Sequence, residues 1–351
     1  LYSSAASDVY ERQTRDGAPD ICNPRTFGPL PDSLYLSDQH GRFRDMTDEY
    51  GIRADGKGLG VLMADLDADQ DLDIYVANDM TPNFLYENQG DGVLREVGMI
   101  SGTAVNQSAT PDGSMGVDLG DFDDDGRPDL WVTNYEQQLF ALYRNTGSLC
   151  FVHASESSGL AQAVGNRVGW GTTFQDLDLD GDMDIFSSVG HPHFDSPDDR
   201  RQLPLLLENL QNRTFRNISP VTTEPYFQSP QNARGVATAD LDNDGRSDLV
   251  VSHLKSDSVV LKNTTSNSPT WFGLSLVGRS TSRDATGAAV LVQTSAGHSI
   301  RRFLIGGGSY LSTSDRRIII AVREGEAVER ATVLWPDGTS QTIPFRPNEY
   351  Q

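Results

Sequence analysis

Long apolar runs are missing from this sequence. No stretch approaches the roughly 20 residues that a membrane-spanning helix needs, and no signal peptide is visible. Cysteine is nearly absent: Cys22 and Cys150 are the only two, too few for a disulfide framework. One bridge between them in an oxidising compartment and two separate, partly buried thiols both stay open. Positive charge is scarce. Lys and Arg number 28 against 50 Asp and Glu, a formal charge of −22. So few cations exclude nucleic-acid binding, in which basic groups displace counterions. Helical signals are sparse throughout. No Gly-x-Ser-x-Gly nucleophile elbow occurs, and no Ser/His/Asp or Cys/His set can be assembled. An initiator Met is also absent, and the expectation from Leu1 is that a further piece lies upstream.

What is present suits a packed protein with many turns. Among 351 residues, 37% are hydrophobic and 22% charged, enough to bury a core. Glycine (33) and proline (17) punctuate short segments. That length fits two or three domains, or one repeat array with an appended domain.

Comparing the sequence with itself finds four aspartate-rich segments in register. They are Asp65, Asp67, Asp69, Asp71 and Asp73; Asp121, Asp123, Asp125, Arg127 and Asp129; Asp176, Asp178, Asp180, Asp182 and Asp184; and Asp240, Asp242, Asp244, Arg246 and Asp248. The first aspartates are 56, 55 and 64 residues apart. An alternating stretch containing glycine precedes each: 58–64, 116–120, 169–175 and 235–239. A β-type run follows each: 72–77, 130–133, 185–189 and 249–252. Further on, Phe84–Asn88 recurs as Ala141–Asn145, Leu205–Asn209 and Val259–Asn263. About four strands per repeat of this length predict all-β propeller blades. Such blades bury both faces only by stacking around an axis. A β-sandwich array or a parallel solenoid is the competing architecture. Residues 33–36 and 41–43 repeat the second half of the pattern and predict half of an earlier blade. The domains expected are 1–47, the N-terminal segment with that half-blade; 48–268, four blades; and 269–351, a small β domain.

The segments have the chemistry of calcium loops. Ca²⁺ takes six to eight oxygens, and aspartates at positions one, three and five of a tight loop aim three carboxylates at one point. Position seven (Asp71, Arg127, Asp182, Arg246) offers its backbone carbonyl, and the position-nine aspartate closes the shell. Gly126, Gly181 and Gly245 at position six permit the sharp turn; Gln70 takes that place in the first loop and must adopt a left-handed or adjusted backbone. A helix–loop–helix calcium site needs Glu at position 12, which none of the four has. Without a cation, carboxylates crowded into one turn repel one another. About four structural Ca²⁺ are therefore expected, against the competing reading of solvated acidic turns. The loops hold 19 aspartates, and four Ca²⁺ would bring the formal charge to −14.

These loops and strand pairs resemble FG-GAP/VCBS repeats, the blades of integrin α-subunit propellers and of many bacterial surface proteins. Residues 271–278, 283–290, 306–312 and 333–338 resemble the ASPIC/UnbV domain, which follows the propeller in the cartilage acidic protein family. Cys22 to Arg25, before Asp32 to Tyr35, is similar to bacterial members of that family. The resemblance implies a calcium-binding propeller, often seven-bladed, outside the cytoplasm: secreted, periplasmic or at the cell surface. It implies no settled activity. Residues 318–323 depart from the family's usual Phe-Gly-Leu-Gly stretch there.

The function expected is an extracellular scaffold for adhesion, protein assembly or ligand binding, with no catalytic residue. A protein partner, or blades missing at the N-terminus, would complete it, and carbohydrate is a possible ligand. The rival is a calcium-dependent enzyme with its active site on the propeller axis. His191 and His193, near Asp195, Asp198 and Asp199, are a weak metal candidate, because alternate residues of an extended chain point apart. His253 is expected in the core or rim. Residues 306–310 lack the lysine and helix of a phosphate loop and read as a glycine-rich β-turn. Asn106, Asn212, Asn217 and Asn263 begin glycosylation sequons.

Overall fold

The computed structural model describes residues 13–15, 18–20, 24–38, 40–90, 92–192, 201–211, 213–266 and 269–351. Two hairpins come first: β1 (Gln13–Arg15) with β2 (Ala18–Asp20), and β3 (Tyr35–Ser37) with β4 (Phe43–Asp45). Blade 1 is β5 (Gly58–Ala64), β6 (Asp73–Asn78), β7 (Phe84–Asn88) and β8 (Leu94–Glu96). Blade 2 is β9 (Val117–Gly120), β10 (Asp129–Val132), β11 (Ala141–Asn145) and β12 (Phe151–His153). Blade 3 is β13 (Gly169–Gln175), β14 (Asp184–Val189), β15 (Leu205–Asn209) and β16 (Phe215–Asn217). Each is an antiparallel meander in chain order, with its aspartate loop joining the first two strands.

Blade 4 departs from the expectation of four strands. It has β17 (Ala233–Ala239), β18 (Asp248–His253) and β19 (Ser256–Leu261). After Asn263 there is no counterpart of Phe151–His153 among the described residues. The chain instead reaches β20 (Trp271–Leu274), the start of the C-terminal domain. That domain continues with β21 (Ala289–Thr294), β22 (Ser299–Phe303), β23 (Gly306–Gly307), β24 (Ile318–Ala321), β25 (Val328–Leu334) and β26 (Ser340–Ile343). Its main sheet runs β22-β21-β25-β26, β20 pairs with β24, and β23 leaves the domain to pair with β5.

The blades bury what the sequence pattern offers. The second strands β6, β10 and β14 are buried at every position. Between blades 1 and 2 lie Leu62, Tyr75, Leu85, Leu119, Leu130 and Tyr143; between blades 2 and 3 lie Trp131, Phe140, Phe174, Ile185 and Leu207. The inner strands approach backbone to backbone. A Cβ on Gly116 would come within 2.0 Å of Trp170 O, and one on Gly171 within 2.6 Å of Val236 N, so the glycine that opens each repeat is a packing requirement.

The outer hairpins share one register. Tyr86 faces Glu96, Tyr143 faces His153 and Leu207 faces Asn217; in β3–β4, Tyr35 faces Asp45 at the same separation. One further bond repeats with them: Met46 N to Leu34 O, Val97 N to Leu85 O, Ala154 N to Leu142 O and Ile218 N to Leu206 O. β3–β4 therefore has the pairing of an outer hairpin, and Tyr35, Leu36 and Phe43 on it are exposed. Among the described residues no helix is long and apolar enough to cross a membrane.

Candidate metal centre

The four aspartate loops fold alike, each side chain tying down backbone N–H groups of its own turn. The position-one carboxylate accepts from the N–H groups that follow: Asp121 from Asp125 N (3.0 Å) and Gly126 N (2.8 Å), Asp240 from Asp244 N (3.0 Å) and Gly245 N (2.8 Å), Asp176 from Gly181 N (3.1 Å), Asp65 from Gln70 N (3.2 Å). The position-five carboxylate accepts from position seven: Asp69 from Asp71 N, Asp125 from Arg127 N, Asp180 from Asp182 N and Asp244 from Arg246 N, all 3.0–3.1 Å. Position six lies in the left-handed region in all four, at φ of 81° for Gln70, 83° for Gly126, 96° for Gly181 and 85° for Gly245. Gln70 thus adopts the glycine conformation, which disfavours an L side chain.

Position nine does something the sequence did not reveal. Each of these aspartates bridges position two of its loop and the asparagine that ends the third strand. Asp184 accepts from Leu177 N (3.1 Å) and Asn209 N (2.9 Å). Asp73, Asp129 and Asp248 do the same with Leu66 and Asn88, Phe122 and Asn145, and Leu241 and Asn263. The asparagine side chain then reaches the preceding blade: Asn145 Nδ2 donates to Leu66 O (2.8 Å), Asn209 Nδ2 to Phe122 O (2.9 Å) and Asn263 Nδ2 to Leu177 O (2.7 Å). This fixed recurrence of asparagine was the available signal. It also occupies the Asn263 nitrogen that a glycan would need.

The geometry brings carboxylate oxygens of Asp121, Asp123 and Asp129 within 4.8 Å of one another, and likewise Asp176, Asp178 and Asp184, Asp240, Asp242 and Asp248, and Asp65, Asp67 and Asp69. Asp71, Asp73, Asp125, Asp180, Asp182 and Asp244 stand outside these groups. Arg127 and Arg246 turn their guanidinium groups on to Asp125 and Asp244, and donate from Nε to Asn145 O and Asn263 O. Several buried oxygens have no hydrogen-bond partner: both of Asp123, Oδ1 of Asp176, Oδ2 of Asp182 and Oδ1 of Asp71.

Burial and crowding push these carboxyls up. Desolvation takes Asp121 to about 7, Asp73 to about 8, Asp129 to about 9 and Asp176 to about 8, and holds Asp184 well above its ordinary value. Asp67 and Asp178 rise to about 6 through burial, then through Asp69 and Asp180. In the fourth loop Asp242 is instead lowered by Lys262. A cluster of three oxygens with unsatisfied lone pairs and mutual repulsion is what a hard divalent cation holds together.

The other candidates fall elsewhere. His191 lies against Tyr135 and Glu136, and His193, Asp195, Asp198 and Asp199 lie outside the described residues, as do Cys22 and Asn212. Cys150 is a free, exposed thiol. His253 is half-buried between Tyr226 and the Asp257 carbonyl.

A family model described as FG-GAP-like repeat matches residues 65–132 and 121–187, and one described as ASPIC and UnbV matches 278–347. The chain carries FG-GAP repeats and an ASPIC/UnbV domain. The FG-GAP match ends at 187, yet Asp240–Asp248 repeats its loop geometry bond for bond, so the fold extends the repeat to blade 4. Among curated relatives, cartilage acidic protein 1 of Xenopus tropicalis is 26% identical over 306 residues, 83% of this chain and 43% of the relative. That of Homo sapiens is 26% identical over 325 residues, 88% of this chain and 45% of the relative. The chain thus spans under half the length of these relatives. An Agrocybe aegerita lectin structure, titled for recognition of non-reducing terminal N-acetylglucosamine, is 17% identical with a TM-score of 0.37, covering 67% of this chain and 61% of the other. A likeness that low transfers neither fold nor ligand.

Proposed function

We propose that this FG-GAP array is a calcium-rigidified extracellular scaffold that works by assembling with another protein. The observation that carries it is the fourfold carboxylate-oxygen cluster, in which Asp123 and Asp176 keep buried oxygens without a hydrogen-bond donor. Asp65, Asp67 and Asp69 would hold one ion; Asp121, Asp123 and Asp129 a second; Asp176, Asp178 and Asp184 a third; Asp240, Asp242 and Asp248 a fourth. Calcium would supply charge neutralisation there and nothing else. Each turn already joins two strands and, in blades 2 to 4, its asparagine also joins two blades, so an ion in the turn stiffens the array. Clusters of carboxylate oxygens suit a hard cation such as calcium, and the name of the curated relatives points to a place outside cells.

Assembly is supported by the hairpin β3–β4, which has the register of an outer hairpin and exposes Tyr35, Leu36 and Phe43. It suits the outer half of a blade whose inner strands come from another polypeptide segment. The rival reading, an enzyme with an axial active site, is disfavoured because the chain's own residues 306–315 lie along the inner strands where such a pocket would be.

The test is thermal unfolding in calcium and in excess chelator. One ion at 100 times its Kd stabilises the folded state by about 2.7 kcal/mol, so chelation is expected to lower Tm by many degrees. An unchanged Tm, with no heat of calcium binding, contradicts the reading.

A further inference from the structure

The C-terminal domain reaches all four aspartate turns, and it bonds three of them through arginines. From β22, Arg301 Nη1 donates to Gly126 O and Arg302 Nη2 to Gly181 O, both at 2.9 Å. Adjacent residues of one strand thus take the same position-six carbonyl in adjacent turns. Arg323 Nη2 pairs with Asp124 (2.9 Å) and Asp182 (2.7 Å). At the fourth turn Arg317 Nη2 donates to Asp240 O (2.7 Å) and Tyr350 OH to Asp240 Oδ2 (2.6 Å). At the first turn Arg301 acts on Asp65 through its charge, and the close contacts are packing: a Cβ on Gly287 would meet Leu72 at 3.0 Å, and one on Gly338 would meet Gln70 at 2.4 Å.

The same domain sends residues 306–315 along the axis. Gly306 and Gly307 pair with Met63 and Leu62 of blade 1. Ser309 N donates to Val117 O of blade 2 (2.6 Å), and Ser309 Oγ accepts from Thr172 N of blade 3 (3.2 Å) and donates to Val236 O of blade 4 (2.8 Å). The segment turns at Tyr310, whose ring lies 5.0 Å from that of Trp170, and returns to bond Thr238 through Ser314 and Asp315. One loop of one domain therefore touches the inner strand of every blade.

The geometry points to Arg301, Arg302, Arg317, Arg323 and Tyr350 as positioning residues of the metal turns, so that docking of the C-terminal domain and cation binding favour each other. This rests on the calcium reading above. The sign follows from which oxygens are used. Arg301 and Arg302 bond neutral carbonyls, which hold those positions only while the turn is folded. Their bonds fix the peptides whose N–H groups point inward, to Asp125 Oδ1 and Asp180 Oδ1. Arg323 pairs with Asp124 and Asp182, which stand outside the oxygen clusters. Arg323 and the cation thus address different atoms of one turn; Arg302 stands closer to the Gly181 carbonyl (2.9 Å) than to the cluster oxygen Asp176 Oδ2 (3.9 Å), so its grip on the turn is the shorter contact. Coupling of this kind is reciprocal: the ion orders the turn that the domain grips, and the grip preorganises the turn for the ion.

The test measures both directions on the full chain. Calcium titration of Arg302→Ala is expected to show affinity weakened about 5-fold or more at one site, with Arg302→Lys recovering part of it. A packing role alone would lower Tm and leave the calcium isotherm unchanged, and that result overturns the proposal. Hydrogen exchange on the unmutated chain needs no variant to fold. Chelation is expected to speed exchange at residues 306–315, far in sequence from any of the four aspartate turns. If calcium binds and those amides do not respond, the linkage is wrong while the calcium reading stands. If calcium does not bind at all, both fall.

Discussion

The third and fourth aspartate turns have the same fold and opposite electrostatics. In both, the position-one carboxylate binds the position-six N–H and the position-nine carboxylate bridges to the asparagine of the third strand. Turn 3 is covered by the C-terminal domain and by blade 4, and its carboxyls are pushed up: Asp176 to about 8, Asp178 and Asp182 to about 6. Turn 4 balances itself. Arg246 lies on Asp244 and Lys262 on Asp242, and Leu241 at position two is 54% exposed where Leu66 and Phe122 are 1% and 4%. The number of aspartates does not set the need for a cation. The middle position does: Asp178 is half-buried and crowded by Asp180, whereas Asp242 is exposed and paired with Lys262, while the flanking aspartates are buried in both turns.

The largest effect should be the one the two turns share. Asp184→Ala and Asp248→Ala each strip the acceptor from two backbone N–H groups, and each is expected to cost about 3 kcal/mol or more in denaturant unfolding. Markedly unequal costs would mean that the bridge is not common to both turns. Next comes the effect that should separate them. In chelator, Asp178→Asn removes repulsion and is expected to raise Tm, while Asp242→Asn loses the Lys262 pair and is expected not to. In calcium Asp178→Asn should lower Tm instead. Shifts of the same sign for Asp178→Asn under both conditions would break the comparison. Smaller still, Asn209→Ala and Asn263→Ala delete the side-chain bonds to Phe122 O and Leu177 O. The expected loss is about 1–2 kcal/mol for buried Asn209 and less for half-buried Asn263.

Much of this was legible in the residues, and the part that was not has a physical reason. The aspartate register, the glycine before each loop, the strand after it and the recurring third-strand motif are local patterns, and they placed the four turns and twelve of the blade strands. Even the hairpin β3–β4 was readable, because Leu34, Tyr35 and Phe43 repeat the spacing of Leu85, Tyr86 and Leu94. Blade 4 misled, because Val259–Asn263 matches the third-strand motif and nothing after it announces that the described residues form no fourth strand there. The asparagines were visible as motif ends, but their reach to the preceding blade spans 79 to 87 residues. The axial segment was least legible. Gly306, Gly307, Gly308, Ser309 and Tyr310 read locally as a turn, and their partners lie far away in sequence in other blades, Ser309 and Thr172 137 residues apart and Gly307 pairing with Leu62 of blade 1. Positive φ at Gly307, Gly308, Ser309 and Leu311 shows a backbone bent to reach them.

The central claim is that the turns are metal sites, and ion counting under native mass spectrometry tests it most directly. The account predicts four calcium ions per chain at saturation and three for Asp178→Ala. A chain that stays calcium-free at millimolar calcium, or one whose ion count Asp178→Ala leaves unchanged, would contradict it.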